Sequence, residues 1–115
     1  MGAELTTPLD GSTFVSVRVD GPPIPGGGPL EVGFADGKIS AYAGCNRMFG
    51  PVDSADGRLT CTRLASTMMA CPPPLDGADD WVTTLFAARP RWALAGDTLT
   101  LSTDTASVTL QAKPD

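Results

Sequence analysis

An α+β domain is what this sequence predicts: a strongly curled antiparallel β-sheet of about seven or eight short strands, an incomplete barrel, with one α-helix inserted before the last three strands. Three observations predict it. Apolar residues recur at period two in several short runs, which is the spacing of a half-buried strand. The 13 glycines and 11 prolines gather between those runs instead of spreading evenly. A single stretch beyond residue 76 carries its apolar residues at helical spacing.

The first strand is read over Thr13 to Val19, with Val15, Val17 and Val19 on one face. Asp20 to Pro29 holds four prolines and four glycines, which excludes regular structure. Leu30, Val32 and Phe34, the Asp36-Gly37 turn, then Ile39, Ala41 and Ala43 form the strongest hairpin signal. A second Asp-Gly pair, Asp56-Gly57, separates a segment around Val52 from Arg58 to Leu64, where Leu59 and Cys61 share a face of another expected hairpin.

Cys71-Pro72-Pro73-Pro74 stops this pattern, and Asp76 offers an N-cap, with Asp79 and Asp80 where the helix dipole favours negative charge. Trp81, Val82, Leu85 and Phe86 then form one helical stripe that ends before Pro90. Trp92 and Leu94, Leu99 and Leu101, and Val108 and Leu110 give three closing strands, joined by Ala95-Gly96-Asp97 and by Ser102 to Ala106. No internal repeat is evident, which sets solenoids and propellers aside.

With 115 residues, 42% hydrophobic and 18% charged, the chain suits one folded domain rather than a disordered segment. A net charge of −5 with eight scattered Lys and Arg argues against nucleic acid as a partner. Apolar runs are too short for a membrane span, and no leader segment opens the chain. Gly2 and Thr6 fit a loose N-myristoylation pattern, but a start codon plus one cloning residue is the preferred reading.

The absence of histidine removes Ser-His and Cys-His nucleophile pairs and the commonest metal ligand. Cys45, Cys61 and Cys71 lack the spacing of a zinc or thioredoxin-like site, so neither metal nor cofactor is expected. Gly26 to Gly28 lack the Lys-Ser/Thr of a phosphate loop. Cap and turn roles account for Asp79-Asp80 and Asp53-Asp56, and Trp81 and Trp92 are expected in the core rather than as a binding platform. No catalytic residue is assigned.

Cys45 and Cys71 each sit beside a chain reversal and are plausible disulfide partners in an oxidising compartment, with Cys61 a leftover thiol within a strand. The competing reading is three reduced cysteines serving as small core groups.

Gly37 to Ser40 followed by Ala43-Gly44-Cys45-Asn46-Arg47-Met48-Phe49-Gly50 resembles the G-x-x-x-G-x-x-G-C-N-x-x-x-G signature of the META/HslJ domain family, with Ala41 in place of one glycine. Thr67-Met68-Met69-Ala70-Cys71 is similar to the T-x-M-A-C element of that family, and Gly96 to Leu101 to its late G-x-x-L-x-L hairpin. Phe14 replaces the usual opening tryptophan, and Asp80 or Trp81 stands where many members carry a helix glutamate.

The resemblance spans about residues 8 to 112, leaving 1–7 as a flexible lead and 113–115 as a tail. It implies a non-catalytic domain of bacterial envelope lipoproteins and secreted proteins, connected with stress response, antibiotic tolerance, and motility or virulence. The expected role is a monomeric binding or structural module contacting an envelope protein or component. A lipid anchor is implied on a precursor. Gly44, Cys45, Asn46, Arg47, Gly50, Thr67, Met68 and Met69 are the expected contact region. The alternative is a carrier of a small apolar ligand in a cavity between sheet and helix.

Overall fold

The computed structural model describes residues 9–61 and 63–113. The expected lead 1–7, the Gly2 acylation pattern, and the last two residues of the expected tail lie outside them.

Eight strands form one antiparallel sheet: β1 Thr13–Asp20, β2 Glu31–Ala35, β3 Lys38–Tyr42, β4 Arg47–Pro51, β5 Ala65–Ser66, β6 Arg91–Ala95, β7 Thr98–Ser102 and β8 Ser107–Ala112. Their order across the sheet is β5-β4-β3-β2-β1-β8-β7-β6, and helix α1, Ala78–Ala87, precedes the last three. The sheet is not closed into a barrel. An isolated Arg58↔Arg91 bridge and the bond from Leu59 N–H to Pro90 O, 2.9 Å, tie the connection between β4 and β5 to the start of β6.

Local signals account for most elements. Asp36 (φ 55°) and Gly37 (φ 76°) both take the left-handed backbone that a two-residue hairpin turn requires, and the register Phe34↔Ile39 follows from it. In the closing meander Leu99, Leu101, Val108 and Leu110 are fully buried, while Trp92 and Leu94 pack against the core half-buried. Helix α1 turns Ala78, Val82, Leu85 and Phe86 inward, filling the space between helix and sheet beside Phe14, whose ring meets Phe34 edge-on at 6.1 Å.

Four local expectations are corrected. The face of Val15, Val17 and Val19 is interrupted, because the β1–β8 register shifts between Ser16 and Arg18; Val17 bulges out, 62% exposed, and Phe14 takes the core. The hairpin around Asp56-Gly57 shrinks to one Asp53↔Thr60 bridge, and Cys61 lies outside any strand. The strand against β4 is instead β5, further along the chain. Asp76 does not cap the helix. It lies in a 3-10 turn, Leu75–Gly77, and Gly77 precedes α1.

Candidate functional site

The corner built by residues 44–47 and 67–71 has Asn46 at its centre. Gly44 makes the turn into it: its φ of 117° suits glycine, and a Cβ there would come within 2.9 Å of Leu75 Cδ2. Cys45 then joins Cys71 in a disulfide, with Cα atoms 5.9 Å apart, so the paired reading of the cysteines holds and Cys61 remains free.

Asn46 is 6% exposed and is the buried polar side chain among the described residues. Its Nδ2 donates to Asp79 Oδ2 at 2.7 Å and to Met69 O at 3.0 Å. Its Oδ1 accepts from Thr67 Oγ1 and from Met69 N–H, both at 2.7 Å. The Asn46 N–H donates to the other Asp79 oxygen at 3.1 Å. All four hydrogen-bonding places of the amide are thus filled. Thr67 and Arg47 complete the corner reciprocally: Arg47 N–H donates to Thr67 Oγ1, and Thr67 N–H donates to Arg47 O, each at 3.1 Å.

Asp79 was expected only as a solvated helix-start carboxylate. It instead links the first turn of α1 to β4's entry, 33 residues back along the chain. No spacing in the sequence signals that pairing, since it depends on how the helix docks. The sulfurs of Cys45 and Cys71 and a carboxylate oxygen of Asp79 lie within 4.8 Å of one another, a donor density suited to a metal. Both sulfurs are bonded to each other, however, and a disulfide offers no thiolate ligand.

The expected contact residues therefore fall into two groups. Gly44, Cys45, Asn46 and Thr67 are consumed in building the corner. Gly50 belongs to the same construction at the far side of β4, where a Cβ would collide with the carbonyl oxygen of Arg63. Side chains of Arg47, Met68 and Met69 face outward: Met68 is 93% and Met69 65% exposed, and the Arg47 guanidinium lies over the Tyr42 ring at 5.1 Å.

Neither tryptophan is wholly interior. The Trp81 indole N–H donates to Pro22 O and that of Trp92 to Ser54 O, each at 3.0 Å. Trp81 borders an open apolar groove of about 380 Å³ with Pro22, Pro23 and Ala106, on the outside of the helix–sheet contact.

Known proteins with this architecture are at hand. An NMR structure of a protein from Burkholderia xenovorans superposes with a TM-score of 0.73 over 99% of this chain and 88% of that one, at 20% identity. A second NMR structure gives a TM-score of 0.69 over 92% of this chain and 94% of that one, at 28% identity. No curated relative matches the chain significantly. Nothing in the family or in these neighbours signals catalysis. The META domain family model matches residues 7–115, and with the glycine, cysteine and asparagine corner that its signature spells out now accounted for atom by atom, this chain belongs to the META domain family.

Proposed function

We propose that this domain is a binding module of the bacterial cell envelope, and that it contacts a partner protein through the surface carried by the Asn46 corner. The observation behind this reading is a concentration of exposed apolar side chains. Of the four large hydrophobic residues exposed among the described residues, Met68, Met69 and Phe49 lie on the corner segment or on β4, which leads out of it; Val17 is the fourth. Isolated surface apolar groups are ordinary, whereas a cluster on a rigid support fits a contact surface.

The support is rigid because its backbone is held by a disulfide and a saturated amide. Preorganisation of this kind lowers the entropic cost of binding. Methionines suit such a surface, since their flexible, polarisable side chains adapt to a partner. Arg47 at its edge supplies charge for orientation. The disulfide is compatible with an oxidising compartment, and no helix among the described residues is long and apolar enough to cross a membrane.

The test is capture of partners from a bacterial envelope extract on immobilised wild-type protein, on a Met68→Ser/Met69→Ser variant, and on Arg47→Glu. A partner retained by wild type and lost from the double variant is the expected result, with Arg47→Glu reducing recovery. Equal recovery of every species on all three would tell against the corner as a contact surface.

A further inference from the structure

Three of the chain's eight basic residues, Arg58, Arg89 and Arg91, gather where the connection between β4 and β5 meets the start of β6, on segments that the Asn46 corner does not use. Arg58 and Arg91 oppose each other across an isolated antiparallel bridge. Residues directly opposed in such a bridge send their side chains to the same side, about 5 Å apart at Cβ, and like charges there repel.

No ion pair relieves this repulsion among the described residues. Among the described residues, no carboxylate lies within ion-pair distance of any of the three arginines. Arg58 is held in place by its Nη1, which donates to Arg89 O at 2.9 Å, and Arg89 Nε reaches Thr60 Oγ1 at 3.4 Å. Arg91 is exposed, and its guanidinium makes no hydrogen bond to a described residue.

Two surface depressions, of about 500 and 340 Å³, meet on this pair and share Arg58, Arg91 and Ser102. Trp92 and Thr100 also line the first; Thr103 and Thr105 also line the second. Each also holds one carboxylate, Asp56 in the first and Asp104 in the second, and neither lies within ion-pair distance of Arg58 or Arg91. An opposed arginine pair with no ion-pair partner among the described residues can take a carboxylate between its guanidiniums, and hydroxyls on both sides narrow its kind.

The geometry points to an acidic-saccharide site: the Arg58 and Arg91 guanidiniums take the carboxylate of a uronic acid residue, while Trp92, Thr100, Ser102 and Thr103 take its ring and hydroxyls. A guanidinium fork matches a carboxylate with two parallel N–H bonds, which gives orientation as well as affinity. Serine and threonine hydroxyls both donate and accept, as sugar hydroxyls demand. The Trp92 N–H is already spent on Ser54 O, so its ring is left as an apolar wall. The two depressions adjoin at the arginines, and their volumes give room for more than one sugar unit.

The test is a titration of isotope-labelled protein followed by amide NMR, with trigalacturonic acid, its methyl ester and inorganic phosphate at matched ionic strength. Trigalacturonic acid is expected to move the amides of Arg58, Arg91 and Ser102. Esterification removes only the charge and is expected to weaken binding at least about tenfold, the worth of one charge-assisted pair. Arg91→Gln, at an exposed position where folding is not at risk, is expected to do the same, and Arg58→Gln likewise. Arg18→Gln, outside the groove, is expected to bind as wild type does. Equal binding of the ester, equal binding by Arg91→Gln, phosphate binding as tight as the saccharide, or no shift at millimolar saccharide would each overturn the proposal.

Discussion

Asn46 shows how one buried amide can organise a corner without any ligand. Each hydrogen-bonding place on it is used, and two of its partners, Asp79 and Met69, come from segments far along the chain. Removing the amide leaves the Thr67 hydroxyl and the Met69 N–H without their acceptor and the Asp79 carboxylate without its best donor. Asn46→Ala is accordingly expected to cost about 2–4 kcal/mol in urea unfolding, more than an average substitution, because partly satisfied buried networks are worse than none. A loss below about 0.5 kcal/mol would remove Asn46 from this role. Cys61 offers a second reading at the same scale. Burial pushes its thiol up to about 11 from 9.0, so at pH 8 the nucleophilic thiolate is scarce. Alkylation in the native state at that pH is expected to run on the order of a hundredfold slower than in denaturant, by the two-unit difference alone. The sign is fixed by the raised value: the folded form keeps its proton while the unfolded form loses it, so stability falls as pH rises from about 9 to 11. Comparable rates in both states would show an accessible thiolate.

At the scale of elements, the Cys45–Cys71 link fastens the entry of β4 to the segment that leads into α1, closing 26 residues of chain. Loop-closure entropy assigns such a link about 3–4 kcal/mol. Cys71→Ser is expected to lose most of that amount in oxidising buffer, whereas Cys61→Ser, which breaks no link, loses less. Thiol titration of unfolded, unreduced wild type checks the premise: one reactive thiol per chain is expected, and three would contradict the link. Strand β5 depends on the same fastening, because its two residues pair with β4 only where Gly50 lets the chain at Arg63 approach. So short an edge strand presents little unpaired backbone to another chain.

Across the whole molecule, the last strand returns to the first. Pairing of β8 with β1 puts both ends of the domain in the middle of the sheet, and the outermost strands, β5 and β6, belong to the interior of the chain. Lys113 strengthens this closure: its N–H donates to Thr13 O at 2.7 Å and its Nζ meets Glu31 at 2.8 Å. The helix packs against the core on one side of the sheet, with Phe86 1% exposed at the contact. Phe86→Ala is expected to lower stability by about 3–5 kcal/mol. It should shift the urea midpoint with little change in slope, since a single cooperative core unfolds with the same surface exposed. A variant with an unshifted midpoint would mean that the helix is not part of that core.

What the sequence by itself determined was everything whose cause is local. Alternating apolar residues and the Asp36-Gly37 pair suffice for the β2–β3 hairpin, and the Val82, Leu85 and Phe86 stripe suffices for α1, because neighbours a few positions away decide those backbones. The glycine, cysteine and asparagine motif likewise marked the corner before its geometry was known. Tertiary structure alone decided the rest. The bulge at Val17 turns β1 about its own axis to suit β8, and no residue within the strand announces it. The Asn46–Asp79 bond and the Arg58–Arg91 pairing join residues 33 positions apart in each case, and only the docking of the helix and of the connection between β4 and β5 brings such groups within reach. A contact of that kind is a property of the assembled core, in which the position of each side chain is settled by packing against all the others.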